Sequence, residues 1–162
     1  MLQELCAEKK GWDENLTEEQ IQRWRDWREE LEQLAEISVP RCYKPSKFGE
    51  IVHAGVHHFS DASDRGYGTA SYLRLKNTQG QIHCCLLIGK SRVVPLKAVT
   101  IPRMELTAAT LAIKLSKLLR NELEFDYEEL YWSDSQVVLF NIKNERKRFK
   151  VFVAKATTFS NQ

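Results

Sequence analysis

Nowhere does the sequence approach the ~18 uninterrupted apolar residues that a membrane-spanning helix needs. Its opening stretch, MLQELCAEKKGWDENL, also lacks the basic-then-apolar order of a signal peptide. The expectation is a cytosolic or nuclear chain. The four cysteines, Cys6, Cys42, Cys84 and Cys85, contain no C-x-x-C pair, and the adjacent two would point to opposite faces of a strand. Reduced thiols are expected, some of them buried. His53, His57, His58 and His83 fall in strand-like stretches without a Cys/His ligand spacing, which argues against a structural zinc site. Internal repeats and low-complexity tracts are absent too.

What is present is an ordinary globular composition, 43% hydrophobic over 162 residues, enough for one cored domain with a small attachment. The net charge of +2 hides an asymmetry. Residues 1–40 carry 5 Lys/Arg against 11 Asp/Glu, and residues 41–162 carry 19 against 11. A basic body behind an acidic leader is what a polyanion-binding domain shows, although a solvated charged surface gives the same count.

The leader reads as a helix over LTEEQIQRWRDWREELEQLAEI. Thr17 and Gln20 fit a capping box, and Ile21, Trp24, Trp27, Leu31 and Leu34 recur at three- and four-residue intervals. SVPRCYKPSKFGE, with prolines at 40 and 45, cannot continue it. The boundary is expected near residue 50, with a helical leader at 1–49 and a main domain at 50–162.

From there the texture changes to VHAGVHHFS, YGTASYLRLKN and QIHCCLLIGKSRVV, three strand-like runs, with NTQGQ as turn chemistry between the last two. TIPRMELTAATLAIKLSKLLRNEL predicts a long helix: Pro102 suits its first turn, and Met104, Ala108, Leu111, Leu115, Leu118 and Leu119 form an apolar stripe. ELYWS predicts a short strand, and DSQVVLFNIKN a second helix capped by Ser133 or Asp134. The order of the main domain is β-β-β-α-β-α.

That order acts on three acids. Asp61 ends the first strand, Glu105 sits in the first turn of the long helix, and Asp134 follows the fourth strand. If strands one and four pair in parallel at the sheet centre, Asp61 and Asp134 emerge at the same edge. Glu105 joins them if the helix crosses that edge, with Ala109 and Ala112 leaving room for close approach. Converging carboxylates repel one another unless cations fill the site, and hard oxygen donors select Mg²⁺ or Mn²⁺. Two such ions can activate a water and stabilise the leaving oxygen of a phosphodiester. Each acid also has a plain local role open to it: turn former for Asp61, macrodipole partner for Glu105, helix cap for Asp134.

FSDAS followed by GYG, then GKSRVVPLKAVTIPRMEL and YWSDSQVVL, together resemble the ribonuclease H domain of Bel/Pao-type LTR retrotransposon polyproteins over about residues 50 to 155. The leader GWDENLTEEQIQRWRDWREELEQLAEISVPR resembles the connection segment that follows the reverse transcriptase in those polyproteins. The resemblance implies a ribonuclease H-like α/β fold, with a mixed five-stranded sheet ordered 3-2-1-4-5 and flanked by helices. It implies two Mg²⁺ (or Mn²⁺) ions on Asp61, Glu105 and Asp134, and hydrolysis of the RNA strand of an RNA/DNA hybrid. It also implies an upstream reverse transcriptase as partner, and a place in a cytoplasmic virus-like particle or the nucleus.

Two departures qualify that expectation. The family uses a fourth carboxylate toward the end of the domain, whereas the only acid after Asp134 is Glu145, inside NERKRFK. An Asn-Pro-Ala-Asp-like segment is also missing, so the domain is expected to be incomplete at its C-terminus, with activity reduced or lost. The alternative is a non-catalytic nucleic-acid-binding or assembly module, in which Arg146, Lys147, Arg148 and Lys150 contact phosphates. An aspartic peptidase fits poorly, because neither DAS nor DSQ supplies the glycine of an Asp-Thr/Ser-Gly loop.

Overall fold

Period-two burial decides how the sheet stacks. The computed structural model describes residues 2–97 and 99–143, the side chains of 141–143 excepted. In β1 (Ile51–Ala62) Ala54, Val56 and His58 are buried, and in β2 (Gly66–Asn77) Thr69, Ser71, Leu73, Leu75 and Asn77 are. Successive side chains of a strand point to opposite faces, so each of these sets lines one face. With β3 (Ile82–Val93) and β4 (Glu128–Trp132) they form a sheet ordered β3-β2-β1-β4. The β1–β2 and β2–β3 pairs are antiparallel, and β1–β4 is parallel. This is the expected mixed sheet through its fourth strand; the expected fifth falls outside the described residues.

The β2–β3 turn is built around Asn77. Its Nδ2 donates to the Phe48 carbonyl (2.6 Å) and Gln81 Oε1 (2.7 Å), while its Oδ1 accepts from the Gln79 and Gln81 amides (3.1 and 2.8 Å). A buried amide with all these bonds made costs little to bury. Gly80 sits at φ +81°, a left-handed conformation that favours glycine.

The long helix α3 (Ile101–Glu122) packs on β1 and β2, with Pro102 in its first turn as expected. It buries Met104, Leu106, Ala108, Ala112, Leu115, Ser116 and Leu119. Spacings of four, four, three and four from Met104 through Ala108, Ala112 and Leu115 to Leu119 set the buried face. Leu118, one residue off that row, is 46% exposed. The stripe read from sequence was therefore slightly rotated. The helix α4 (Gln136–Lys143) packs on α3 and contributes the buried Val138.

Backbone contacts divide the chain into a unit at Met1–Arg41 and a second that begins at Cys42. The first holds α1 (Leu2–Ala7) and α2 (Glu18–Glu32), followed by a 3-10 turn at Gln33–Glu36. α2 opens on the predicted capping box, with Thr17 and Gln20 bonded reciprocally. None of its residues is buried, and the rings of Trp24 and Trp27 lie 4.9 Å apart, tilted at 34°. In the second unit Phe48 joins the core of Ala54, Val56, Leu73, Leu75 and Leu119. No cysteine is buried: Cys6, Cys42 and Cys84 are exposed and Cys85 is half-buried. No helix among the described residues is long and apolar enough to cross a membrane.

Candidate active site

The parallel β1–β4 register places the acids. Phe59 pairs with Trp132, so Asp61, two residues further along β1, and Asp134, two residues past the end of β4, emerge at the same end of adjacent parallel strands. Both line one open cleft of about 1220 Å³ at that end of the sheet, together with Ser60, Ser63, Phe59 and Trp132. Arg65 from the β1–β2 turn and Lys90 and Arg92 from β3 line the same cleft. Cationic side chains beside two carboxylates make a surface able to meet a phosphate backbone and a cation at once.

Local bonds fix this end of the sheet. Ser60 Oγ donates to the Trp132 carbonyl (3.5 Å), and Thr69 Oγ1 to the Phe59 carbonyl (2.7 Å). Asp61 Oδ1 accepts from the Ala62 amide at 2.7 Å, so part of its local role is that of a turn residue. The turn itself is held by Ser63, whose Oγ accepts from the amides of Arg65 and Gly66 (3.2 and 3.3 Å). A Cβ at Gly66 would come within 3.0 Å of the Arg92 carbonyl oxygen, so glycine lets β2 and β3 close up beside the cleft.

Glu105 stands apart from that pair. It is the fifth residue of α3, whose first turn holds no acid. The first-turn placement expected from sequence is thus corrected: Thr100 is the N-cap residue and the helix proper begins at Ile101. Glu105 does not line the cleft with Asp61 and Asp134. Instead its Oε2 accepts a hydrogen bond from Ser135 Oγ at 2.6 Å. Ser135, 6% exposed, follows Asp134 directly, so the third acid is tied to the segment that carries the second.

The same hydroxyl caps α4. Ser135 Oγ accepts from the Val138 amide at 3.2 Å, the N-cap to N3 bond, and Ser133 Oγ accepts from the Ser135 amide at 3.2 Å. The cap is therefore Ser135, not Ser133 or Asp134 as the sequence suggested. The signal was available, since a serine stands directly before QVVLF, but SDS offers three capping side chains in a row.

Donor chemistry and spacing speak differently about a metal. Three carboxylates at one end of the sheet offer the hard oxygens that Mg²⁺ and Mn²⁺ prefer. Yet among the described residues no group of three or more His, Cys, Asp or Glu is gathered closely enough to hold an ion. The acids suit a divalent cation by donor type; Asp61 and Asp134 share the cleft, while Glu105 stands outside it, bonded to Ser135. Arg146, Lys147, Arg148 and Lys150, expected at phosphates, lie outside the described residues, as does Glu145.

Behind the site lies a polar cluster that sequence reading did not find. His58, fully buried, bonds through Nδ1 to Ser71 Oγ at 2.8 Å, while its Nε2 lies 4.0 Å from Glu129 Oε1 without a hydrogen-bond partner. Glu129 accepts from Ser116 Oγ (2.7 Å), from Arg120 and from the Tyr131 hydroxyl (3.3 Å), and that hydroxyl also donates to Ser116 (2.7 Å). Burial holds the His58 imidazole below the ordinary histidine pKa, against the pull of Glu129. These bonds fasten β4 to α3.

A mixed sheet in which β1 pairs in parallel with β4, a helix packed across it and acids at the ends of β1 and β4 fit a ribonuclease H-like α/β domain. The sequence matches the family described as the Pao retrotransposon-like RNaseH-like domain over residues 1–135, and the chain belongs to that family. Among solved structures it is similar to the RNase H1 of the halophilic archaeon Halobacterium salinarum NRC-1. That likeness has a TM-score of 0.42 and 15% identity, covering 66% of this chain and 74% of the other. It is also similar to LC11-RNase H1, crystallised with an RNA/DNA hybrid, at a TM-score of 0.41 and 12% identity, covering 67% and 73%. No curated protein sequence matches the chain.

Proposed function

We propose that this domain hydrolyses the RNA strand of RNA/DNA hybrids in a reaction that depends on divalent metal, Mg²⁺ or Mn²⁺, held by Asp61, Glu105 and Asp134. The observation that carries the reading is the β1–β4 register, which brings Asp61 and Asp134 to one cleft from strands far apart in sequence. Two bound ions would supply an activated water and stabilise the leaving oxygen of the phosphodiester. The chain's own part is to present the carboxylates, to orient Glu105, and to draw the phosphate backbone toward the cleft with Arg65, Lys90 and Arg92. Arg146, Lys147, Arg148 and Lys150, outside the described residues, would contact phosphates in this reading.

The leader serves as a tether to an upstream reverse transcriptase domain in the parent polyprotein. Trp24, Trp27, Leu31 and Leu34 stay 37%, 47%, 39% and 55% exposed on it, an apolar set that a neighbouring domain would cover. The test of the catalytic reading is Mg²⁺-dependent cleavage of a labelled hybrid by wild type and Asp61→Asn. Cleavage lost in the variant is expected; equal cleavage by both removes Asp61 from the chemistry.

One observation favours a second reading, a non-catalytic hybrid-binding or assembly module: the described residues do not gather three acids around one point. The two readings part in the Asp61→Asn, Glu105→Gln, Asp134→Asn triple variant. Under the module reading, wild type cuts nothing, and hybrid binding that weakens with salt persists unchanged in the variant.

A further inference from the structure

Ser135 makes two bonds through one oxygen, and they run in opposite senses. Its hydroxyl proton goes to Glu105 Oε2 at 2.6 Å, and its lone pair takes the Val138 amide at 3.2 Å. An amide donor on the oxygen leaves the proton free to point at a carboxylate, so the helix cap sets the polarity of the bond to Glu105. Ser135 is 6% exposed and Val138 1%, so the cap end of this chain of bonds is shielded from water, while Glu105 is half-buried.

The geometry points to Ser135 as a positioning residue for the acids proposed to bind metal: it holds Glu105 through Oε2 and ties that carboxylate to the segment carrying Asp134. The inference rests on the metal-dependent reading of the three acids and deepens it. Glu105 comes from α3 and Asp134 from the loop before α4, and Ser135 is the side chain that bonds one element's acid to the other's backbone. Hydrogen bonds of this kind to a ligating carboxylate set its orientation, and losing one typically costs 10–100-fold in metal affinity or activity.

A cap and a positioning residue make different demands, which separates the two roles. Glycine replaces serine at an N-cap at little cost but offers no hydroxyl, whereas threonine keeps both functions. The measurement is Mn²⁺ affinity of the full chain by titration calorimetry, with the thermal midpoint and hybrid binding in EDTA recorded in parallel. Ser135→Gly should weaken Mn²⁺ binding about tenfold or more with a near-native midpoint and unchanged metal-free hybrid binding. Ser135→Thr should restore the affinity. Wild-type Mn²⁺ affinity in Ser135→Gly, together with weakened binding in Glu105→Gln, would overturn the role of Ser135 and leave the acids in place. Absence of Mn²⁺ binding in wild type would overturn both the metal site and its positioning residue.

Discussion

His57 and His58 are neighbours in β1, yet they belong to different chemical worlds. His58 points to the face under α3, is fully buried, and bonds to Ser71. His57 points to the other face, where its ring stacks on Trp132 at 5.9 Å and its Nδ1 accepts from the Trp132 indole at 3.1 Å. Phe59 and Tyr72 extend that second row, 44% and 39% exposed. The α3 face thus excludes water and makes polar groups find partners, while the opposite face carries aromatic rings in contact with solvent. Asp61 shares the strand parity of His57 and Phe59, whereas Glu105 comes from the helix on the other face. The candidate site lies at the rim where the two faces meet, and a bridge such as Ser135 is what that division requires.

The contrast can be broken most forcefully at adjacent residues of β2. Leu73→Ala removes a fully buried side chain and should cost about 2–5 kcal/mol in urea denaturation. Tyr72→Ala, on the aromatic face, should cost less than Leu73→Ala, its ring contact with Phe59 contributing about 0.5–1.5 kcal/mol beyond the area it covers. Equal losses at the two positions would mean that the second face is as closely packed as the first.

A smaller effect is expected at Tyr131. Replacing it with Phe deletes the hydroxyl that donates to Ser116 and Glu129 and should cost about 1 kcal/mol. No measurable change in the denaturation midpoint would show that the cluster between β4 and α3 contributes nothing to stability.

The smallest is a change of slope with pH. The folded pKa of His58 lies below the ordinary value of 6.5, chiefly through burial, so the unfolded chain takes up the proton first. Stability should be full above about pH 6.5 and should fall as pH drops through that value toward the lowered folded pKa. His58→Gln removes the titration, and its thermal midpoint should decline less steeply between pH 7 and 5 than that of wild type. Parallel profiles would take His58 out of the acid sensitivity.

Much of this division was legible in the residues themselves. The element order was readable from three β-like runs, a long helix and a fourth strand, whereas the strand order came from the resemblance, and the nearness of Asp61 and Asp134 depended on the parallel pairing now seen between β1 and β4. The capping box at Thr17 and the turn glycine at 80 could be read because local chemistry determines them. The long helix was harder, because its sequence offers more apolar residues than one face can bury, and only packing selects Ala112 over Leu118. Glu105 was expected in the first turn of α3 but is its fifth residue, since the helix start depends on a cap that TIPR does not mark uniquely. Ser135 escaped notice because its importance lies in a contact with a residue 30 positions away. Sequence spacing carries no trace of such a bond.

The central claim is that acids at the ends of β1 and β4 serve one metal-dependent cleavage. Single-turnover assays of the full chain in Mg²⁺ should compare an RNA/DNA hybrid with RNA/RNA and DNA/DNA duplexes of the same sequence, for wild type and Asp134→Asn. The account predicts cutting of the RNA strand in the hybrid alone, reduced to background in the variant. An uncut hybrid, or a variant that cuts as well as wild type, would contradict it.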